Sequence, residues 1–108
     1  SRLIVRTSSA ASAATLTPNV NAYDMYCLNA MAADLTVNAP IGDPVDGDRL
    51  TFRFLDNGTS RLITWNPIYT AIGVSAPTAT TISKITYVGC IYNAHSPGWD
   101  IIAVTTQV

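Results

Sequence analysis

The strongest constraint in this chain is the run Arg49-Leu50-Thr51-Phe52-Arg53-Phe54. Leu50, Phe52 and Phe54 alternate with Arg49, Thr51 and Arg53. Successive side chains of a strand point to opposite faces, so this period of two places three large apolar groups on one face. A helix would scatter them around its circumference. The run therefore predicts a half-buried strand. Asp56-Asn57-Gly58-Thr59 follows, and Asn-Gly accepts the two positive φ angles of a type I′ turn. Arg61-Leu62-Ile63-Thr64-Trp65 then reads as the partner strand of a hairpin.

The remainder of the chain agrees with a strand-built fold. Glu is absent and there is a single Lys, which removes two good helix formers. Thr, Val, Ile and aromatic residues favour strands instead. Further strands are expected at 2–6, 23–31, 35–37, 82–92 and 99–104. Thr17-Pro18-Asn19 and Asn38-Ala39-Pro40 mark breaks. Residues 68–81 read as a loop packed on the sheet. Thr7–Ala14, made only of Thr, Ser and Ala, reads as a flexible link or an arm docked by strand addition. The expectation is an all-β chain: one small β-sandwich or barrel-like domain of six to eight mostly antiparallel strands at 15–108, with an N-terminal arm at 1–14.

Charge decides the next step. Charged residues make up 12% of the 108, about half the usual ~25%. A monomer of 11.5 kDa exposes roughly 5,800 Å², so its ionised groups are sparse. This predicts that much of the surface faces other protein. A net charge of −1 without a basic run argues against nucleic acid as a partner. No apolar stretch approaches the ~20 residues of a membrane helix, and no secretion signal is present. Ser1 reads as a mature start after loss of an initiator Met. Cys27 and Cys90 are too few for a disulfide scaffold. They read as free buried thiols, with a single disulfide as the alternative.

Candidate chemical groups mostly have plain explanations. His95 is the only histidine and sits in a Ser-Pro-Gly loop without partners at metal-ligand spacing. Asp43, Asp46 and Asp48 resemble calcium ligands, but the EF-hand spacing and its Glu are missing, so a turn held by Asp side chains is expected. Asn57-Gly58-Thr59 matches a glycosylation acceptor, yet turn geometry accounts for it. Asp100 lies inside the last strand and reads as a hydrogen-bonded or edge residue. Tyr23, Tyr26, Tyr69, Tyr87, Tyr92, Trp65 and Trp99 could line a sugar-binding face, though strand aromatics more often serve a core or interface. No nucleophile elbow or phosphate loop occurs. Neither enzymatic activity nor a cofactor is expected.

Several separated runs resemble a recurrent module of tailed-bacteriophage structural proteins. They are Leu16-Thr17-Pro18-Asn19, the run from Asp46 to Asn66, Ala71-Ile72-Gly73, the run from Lys84 to Ala94, and the run from Trp99 to Val104. The resemblance covers about residues 13–108. It implies a β-rich, trimeric component of capsid-decoration, head-fibre or tail-fibre proteins and brings no catalytic residues. No repetitive stem precedes the module in this sequence, which resembles a decoration or cement protein more than a fibre tip. The resemblance thus implies a homotrimer on the outer capsid surface of a virion, made in the host cytoplasm and bridging subunits of the major capsid protein. The alternative is a receptor- or glycan-binding fibre tip. Arg2, Leu3, Ile4, Val5 and Arg6 are the candidate capsid contacts.

Overall fold

The structure, a computed structural model, describes residues 4–108. Every regular element among them is a strand. They are β1 (Thr7–Ala10), β2 (Thr15–Leu16), β3 (Met25–Met31), β4 (Leu35–Val37), β5 (Arg49–Asp56), β6 (Ile63–Trp65), β7 (Tyr69–Ala71), β8 (Thr86–Asn93) and β9 (Gly98–Thr106). A six-stranded sheet has the order β1-β3-β5-β8-β9-β7, and a three-stranded sheet has the order β2-β4-β6.

The chain changes sheet at every step from β1 to β7. Each strand is thus followed by one in the other sheet, and up to β6 the next returns beside its predecessor in the same direction; β7 returns to the far edge of the large sheet, beside β9. β1, β3 and β5 are parallel for this reason, as are β2, β4 and β6. Only β5–β8 and β8–β9 are antiparallel. This corrects the expectation of mostly antiparallel strands. It also removes the hairpin expected at Asn57-Gly58. β5 pairs with β3 and β8, while β6 crosses to the small sheet and pairs with β4. Gly58 does adopt positive φ, at 104°, but in a crossover rather than a hairpin turn. Asn57 does not share it, so the type I′ turn is absent as well as the hairpin.

Other boundaries moved for identifiable reasons. Residues 4–6 of the strand expected at 2–6 are not in a strand, and β1 lies instead at Thr7–Ala10, so the supposed arm contributes β1 to the large sheet. Arg2 and Leu3 lie outside the described residues. Within 68–81, Tyr69–Ala71 forms β7, parallel to β9. The strand expected from residue 82 begins at Thr86, because Ser83 takes the left-handed conformation (φ 58°) that breaks extended structure.

Period-two burial holds in β5, where Leu50, Phe52, Phe54 and Asp56 point inward. Residues of both sheets join one core: Tyr26, Leu28, Phe52, Phe54, Val88 and Ile101 from the large sheet, and Leu35, Val37 and Ile63 from the small one. Phe52 is the hub. Its ring lies 5.4 Å from Trp65, 5.7 Å from Phe54, 6.1 Å from Tyr69 and 6.5 Å from Tyr26. Trp65, on the small sheet, donates its indole N–H to the Pro77 carbonyl at 2.8 Å, so the ring packs without stranding its polar atom.

Both cysteines are free and buried, and register explains why they stay apart. Cys27 on β3 stands opposite Arg53 of β5, on the outward face. Cys90 on β8 stands opposite Leu50, on the inward face. β5 separates the two strands, which sets them about 10 Å apart, on opposite faces. No disulfide spans that gap. Burial, with a smaller contribution from the Asp100 charge, pushes the Cys90 thiol up to about 12, so it stays protonated at neutral pH.

Two outcomes follow from this core. Phe52→Ala should cost about 3–5 kcal/mol, the usual range for deleting a large buried aromatic, measured by urea unfolding. Thiol titration without reductant should find two free thiols after denaturation, with Cys90 unreactive in the folded chain; a missing pair would contradict the register.

Candidate functional site

Three features stand out: the N-terminal segment with its groove, a buried carboxylate at Asp56, and the exposed first turn of the winding. The first is organised by Arg6. Its guanidinium donates to both carboxylate oxygens of Asp24, at 2.8 and 3.1 Å, and to the carbonyls of Asn21 and Val20 at 2.7 and 3.2 Å. Its own N–H donates to Asp24 Oδ2 at 3.1 Å, and its carbonyl accepts from the N–H groups of Asp24 and Met25. The hydrogen bond to Asp24 raises Arg6 above its usual value, and the same bond lowers Asp24. This is the ion pair found among the described residues. Arg6 therefore ties the chain to the start of β3.

Ahead of that tie, Ile4 and Val5 are 84% and 61% exposed. They line an open groove of about 430 Å³ with Asp24, Gly47, Asp48 and Arg49. Of the five residues expected to face a capsid, Ile4 and Val5 are thus free for contact. Arg6 has its guanidinium engaged within the chain. Arg2 and Leu3 are not described.

Asp56 is 4% exposed. Its Oδ1 accepts the N–H groups of Gly58 at 3.0 Å and Ser83 at 2.9 Å, and its Oδ2 accepts the Thr80 hydroxyl at 2.8 Å. Thr80 Oγ1 in turn accepts the Arg61 N–H at 2.8 Å. Burial on its own would raise the carboxyl. The bonds from Ser83, Thr80 and Gly58, with the Arg61 charge, outweigh it and hold Asp56 below the ordinary value. The site is a structural knot: one carboxylate joins the end of β5 to the 80–83 segment and holds Ser83 in its left-handed conformation. The sequence carried a signal for it. Asp56 has the same parity as Leu50, Phe52 and Phe54, but the turn reading ended the strand at Phe54.

The remaining candidates fall where turns need them. Asp48 Oδ2 accepts the Val45 N–H at 2.8 Å, Asp46 Oδ1 the Ala94 N–H at 2.9 Å, and Asp43 donates its N–H to Asn21 Oδ1 at 3.0 Å. No group of three His, Cys or Asp residues comes together among the described residues. His95 donates its N–H to Asn93 Oδ1, and Asp100 accepts from Asn93 Nδ2 at 3.3 Å. Tyr26, Tyr69 and Trp99 are buried, and Trp65 and Tyr92 half-buried. Tyr23 and Tyr87 are exposed but stand apart, on the loop before β3 and on the outward face of β8. They do not form a paired stacking surface.

Among the described residues the arrangement offers contact surfaces and main-chain hydrogen-bonding groups. No family model, curated protein or solved structure matches the chain.

Acid sensitivity follows from the two lowered carboxyls. Each binds a proton more weakly in the folded chain than in the unfolded one. Their stabilisation is complete above the ordinary carboxylate value of 3.8 and is lost as pH falls below it toward the folded values. Asp56→Asn should cost about 1–3 kcal/mol at neutral pH, because an amide cannot accept all three donors. It should also flatten the loss of stability below pH ~4, as read by denaturant midpoints across pH.

Proposed function

We propose that this chain is a non-enzymatic virion structural protein that decorates or cements a phage capsid from its outer surface, after synthesis in the host cytoplasm, working as an oligomer, most simply a homotrimer. The two sheets are read as the layers of a small sandwich that presents its faces to neighbours. The observation that carries the reading is the surface. The chain has six basic and seven acidic side chains for 6089 Å² of surface; Asp56 is withdrawn into the interior, and one pair is spent on the Arg6–Asp24 bond. Meanwhile Ile41, Val45, Leu62, Ile72, Ile82 and Ile102 are exposed. Ile72 and Ile102 lie close together, since Ile72 donates its N–H to the Ile101 carbonyl. Such a surface gains from burial against protein.

Ile4 and Val5 are the contacts we assign to the major capsid protein. Several linked copies would bind a symmetric shell with avidity, so weak single contacts suffice. The fibre-tip alternative has less support, because the exposed rings are scattered and the other aromatics serve the core.

The decisive test mixes purified protein with undecorated capsids of the encoding phage and sediments them together. Co-sedimentation and greater resistance of the shells to heat are expected; free protein, or label at the tail tip in electron micrographs, would refute the reading. Ile4→Asp with Val5→Asp should weaken shell binding at least about tenfold, the loss of one or two buried apolar side chains, without changing the unfolding midpoint. Deleting residues 1–5 should act alike. Deleting 1–14 should instead destabilise the chain, since it removes β1.

A further inference from the structure

The first turn of the winding is bare on its outer side. Among the described residues β1 has β3 as its single neighbour, and β2 has β4. Short links at 11–14, 32–34 and 57–62 carry the chain from each large-sheet strand to the next small-sheet strand. Both sheets therefore build in the same direction, and both free edges lie at one end. The other end is closed. β8, β9 and β7 extend the large sheet past β5. The 78–80 segment runs along β6, with the Ile63 N–H donating to the Thr78 carbonyl and the Thr80 N–H to the Arg61 carbonyl, both at 2.8 Å.

Parallel pairing identifies the free groups. The Arg6 carbonyl accepts from Asp24 and Met25, so Arg6, Ser8 and Ala10 turn their main-chain groups to β3. Thr7 and Ser9 turn theirs outward. The carbonyls of Ala14 and Leu16 accept from the N–H groups of Thr36 and Asn38, which leaves Thr15 facing out. Both edge strands are short, but charge, proline and bulge, three other guards of an edge, are missing. Thr7–Thr17 contains no ionisable side chain and no proline, and β1 has no bulge. β7, the opposite edge of the large sheet, follows Pro67. Among the described residues ahead of Arg6, Ile4 and Val5 lie beside Gly47, Asp48 and Arg49, toward β5 and away from the outer side of β1.

We propose that this end is a self-association surface, on which a second copy of the chain docks edge to edge about a two-fold axis, joining β1 to β1 and β2 to β2. Two points select this occupant. A lone extended peptide satisfies one edge, whereas two edges held at the spacing of this chain's sheets are matched together by the same pair on another copy. Like also meets like without repulsion, because the first turn is uncharged. With Ser8 on the axis, Thr7 of each copy exchanges main-chain hydrogen bonds with Ser9 of the other. The side chains of β1 are no larger than threonine, so the backbones approach freely. The contact is far smaller than the ~800 Å² per partner of stable complexes, so association is weak and concentration-dependent. The biological use rests on the decoration reading: three-fold clusters laced at two-fold edges make a continuous net over a shell, where avidity strengthens each link.

The test is sedimentation of the intact chain over a range of concentrations. The mass should rise with concentration, to twice that of a single chain, or to twice and beyond where the unit is a trimer with three such edges. Ser9→Pro removes an N–H that no internal pairing uses, and Ser9→Lys sets like charges across the axis. Either should weaken the association by about tenfold or more, the worth of two hydrogen bonds, at an unchanged unfolding midpoint. Should Ser9→Pro fold poorly, Ser9→Lys decides. Across the axis, Ser8 faces its counterpart at a Cα separation of about 4.5 Å, within disulfide reach. Mild oxidation of Ser8→Cys should therefore give covalent pairs that wild type, with its buried thiols, does not form. A constant mass, an association indifferent to Ser9→Lys, or no cross-link overturns the edge pairing. Shell binding without self-pairing would remove this inference alone; self-pairing without shell binding would remove the decoration reading alone.

Discussion

The contact between Phe52 and Trp65 is what the rest of the structure depends on. Phe52 belongs to the six-stranded sheet and Trp65 to the three-stranded one, and their rings meet edge to face at 5.4 Å. Tyr69 closes on both, 6.1 Å from Phe52 and 5.2 Å from Trp65, and fixes its hydroxyl on the Asn38 carbonyl. The small sheet has only eight residues in its strands, too few to persist alone. It exists because Leu35, Val37, Ile63 and Trp65 press against the large sheet. Burial of that aromatic cluster, and not strand pairing within the small sheet, holds the two layers in register.

The sheet-to-sheet winding explains which parts of the fold were legible in the sequence. Strands with a strong local signal were found where expected: Leu35–Val37 at its full extent, and the alternation from Arg49 through Phe54 as the centre of β5. Pairing was not legible. The hairpin reading of Asp56-Asn57-Gly58 placed the chain reversal and the positive φ of Gly58, but nothing in those residues says that the next strand crosses to another sheet. That choice is made by distant residues, such as Tyr69 and Trp65 competing for the face of Phe52. Thr7–Ala10 was illegible for a different reason. Its small polar side chains carry no period, and it becomes a strand only because β3 offers an edge.

The functional features divide the same way. The exposed apolar start at Ile4 and Val5 could be suspected from sequence. The capture of Arg6 by Asp24 could not, since it joins residues across the turn at Pro18-Asn19. The buried Asp56 was readable from its parity, yet turn propensity masked it. The unguarded end formed by β1 and β2 emerged only from topology, although the uncharged Thr-Ser-Ala stretch had already marked the segment as unusual.

The winding has a consequence for how the chain is made. The large sheet is not assembled in the order of synthesis. β8 and β9, made after β7, are inserted between β5 and β7. Until they arrive, the far side of β5 and all of β7 lack partners, and the aromatic core stays open to water along that flank. β8 and β9 themselves form a local hairpin and can zip quickly, whereas pairings such as Arg49 with Ile91 must close a long stretch of chain. The polypeptide is therefore held in an unfinished, sticky state until β8 and β9 have both been made.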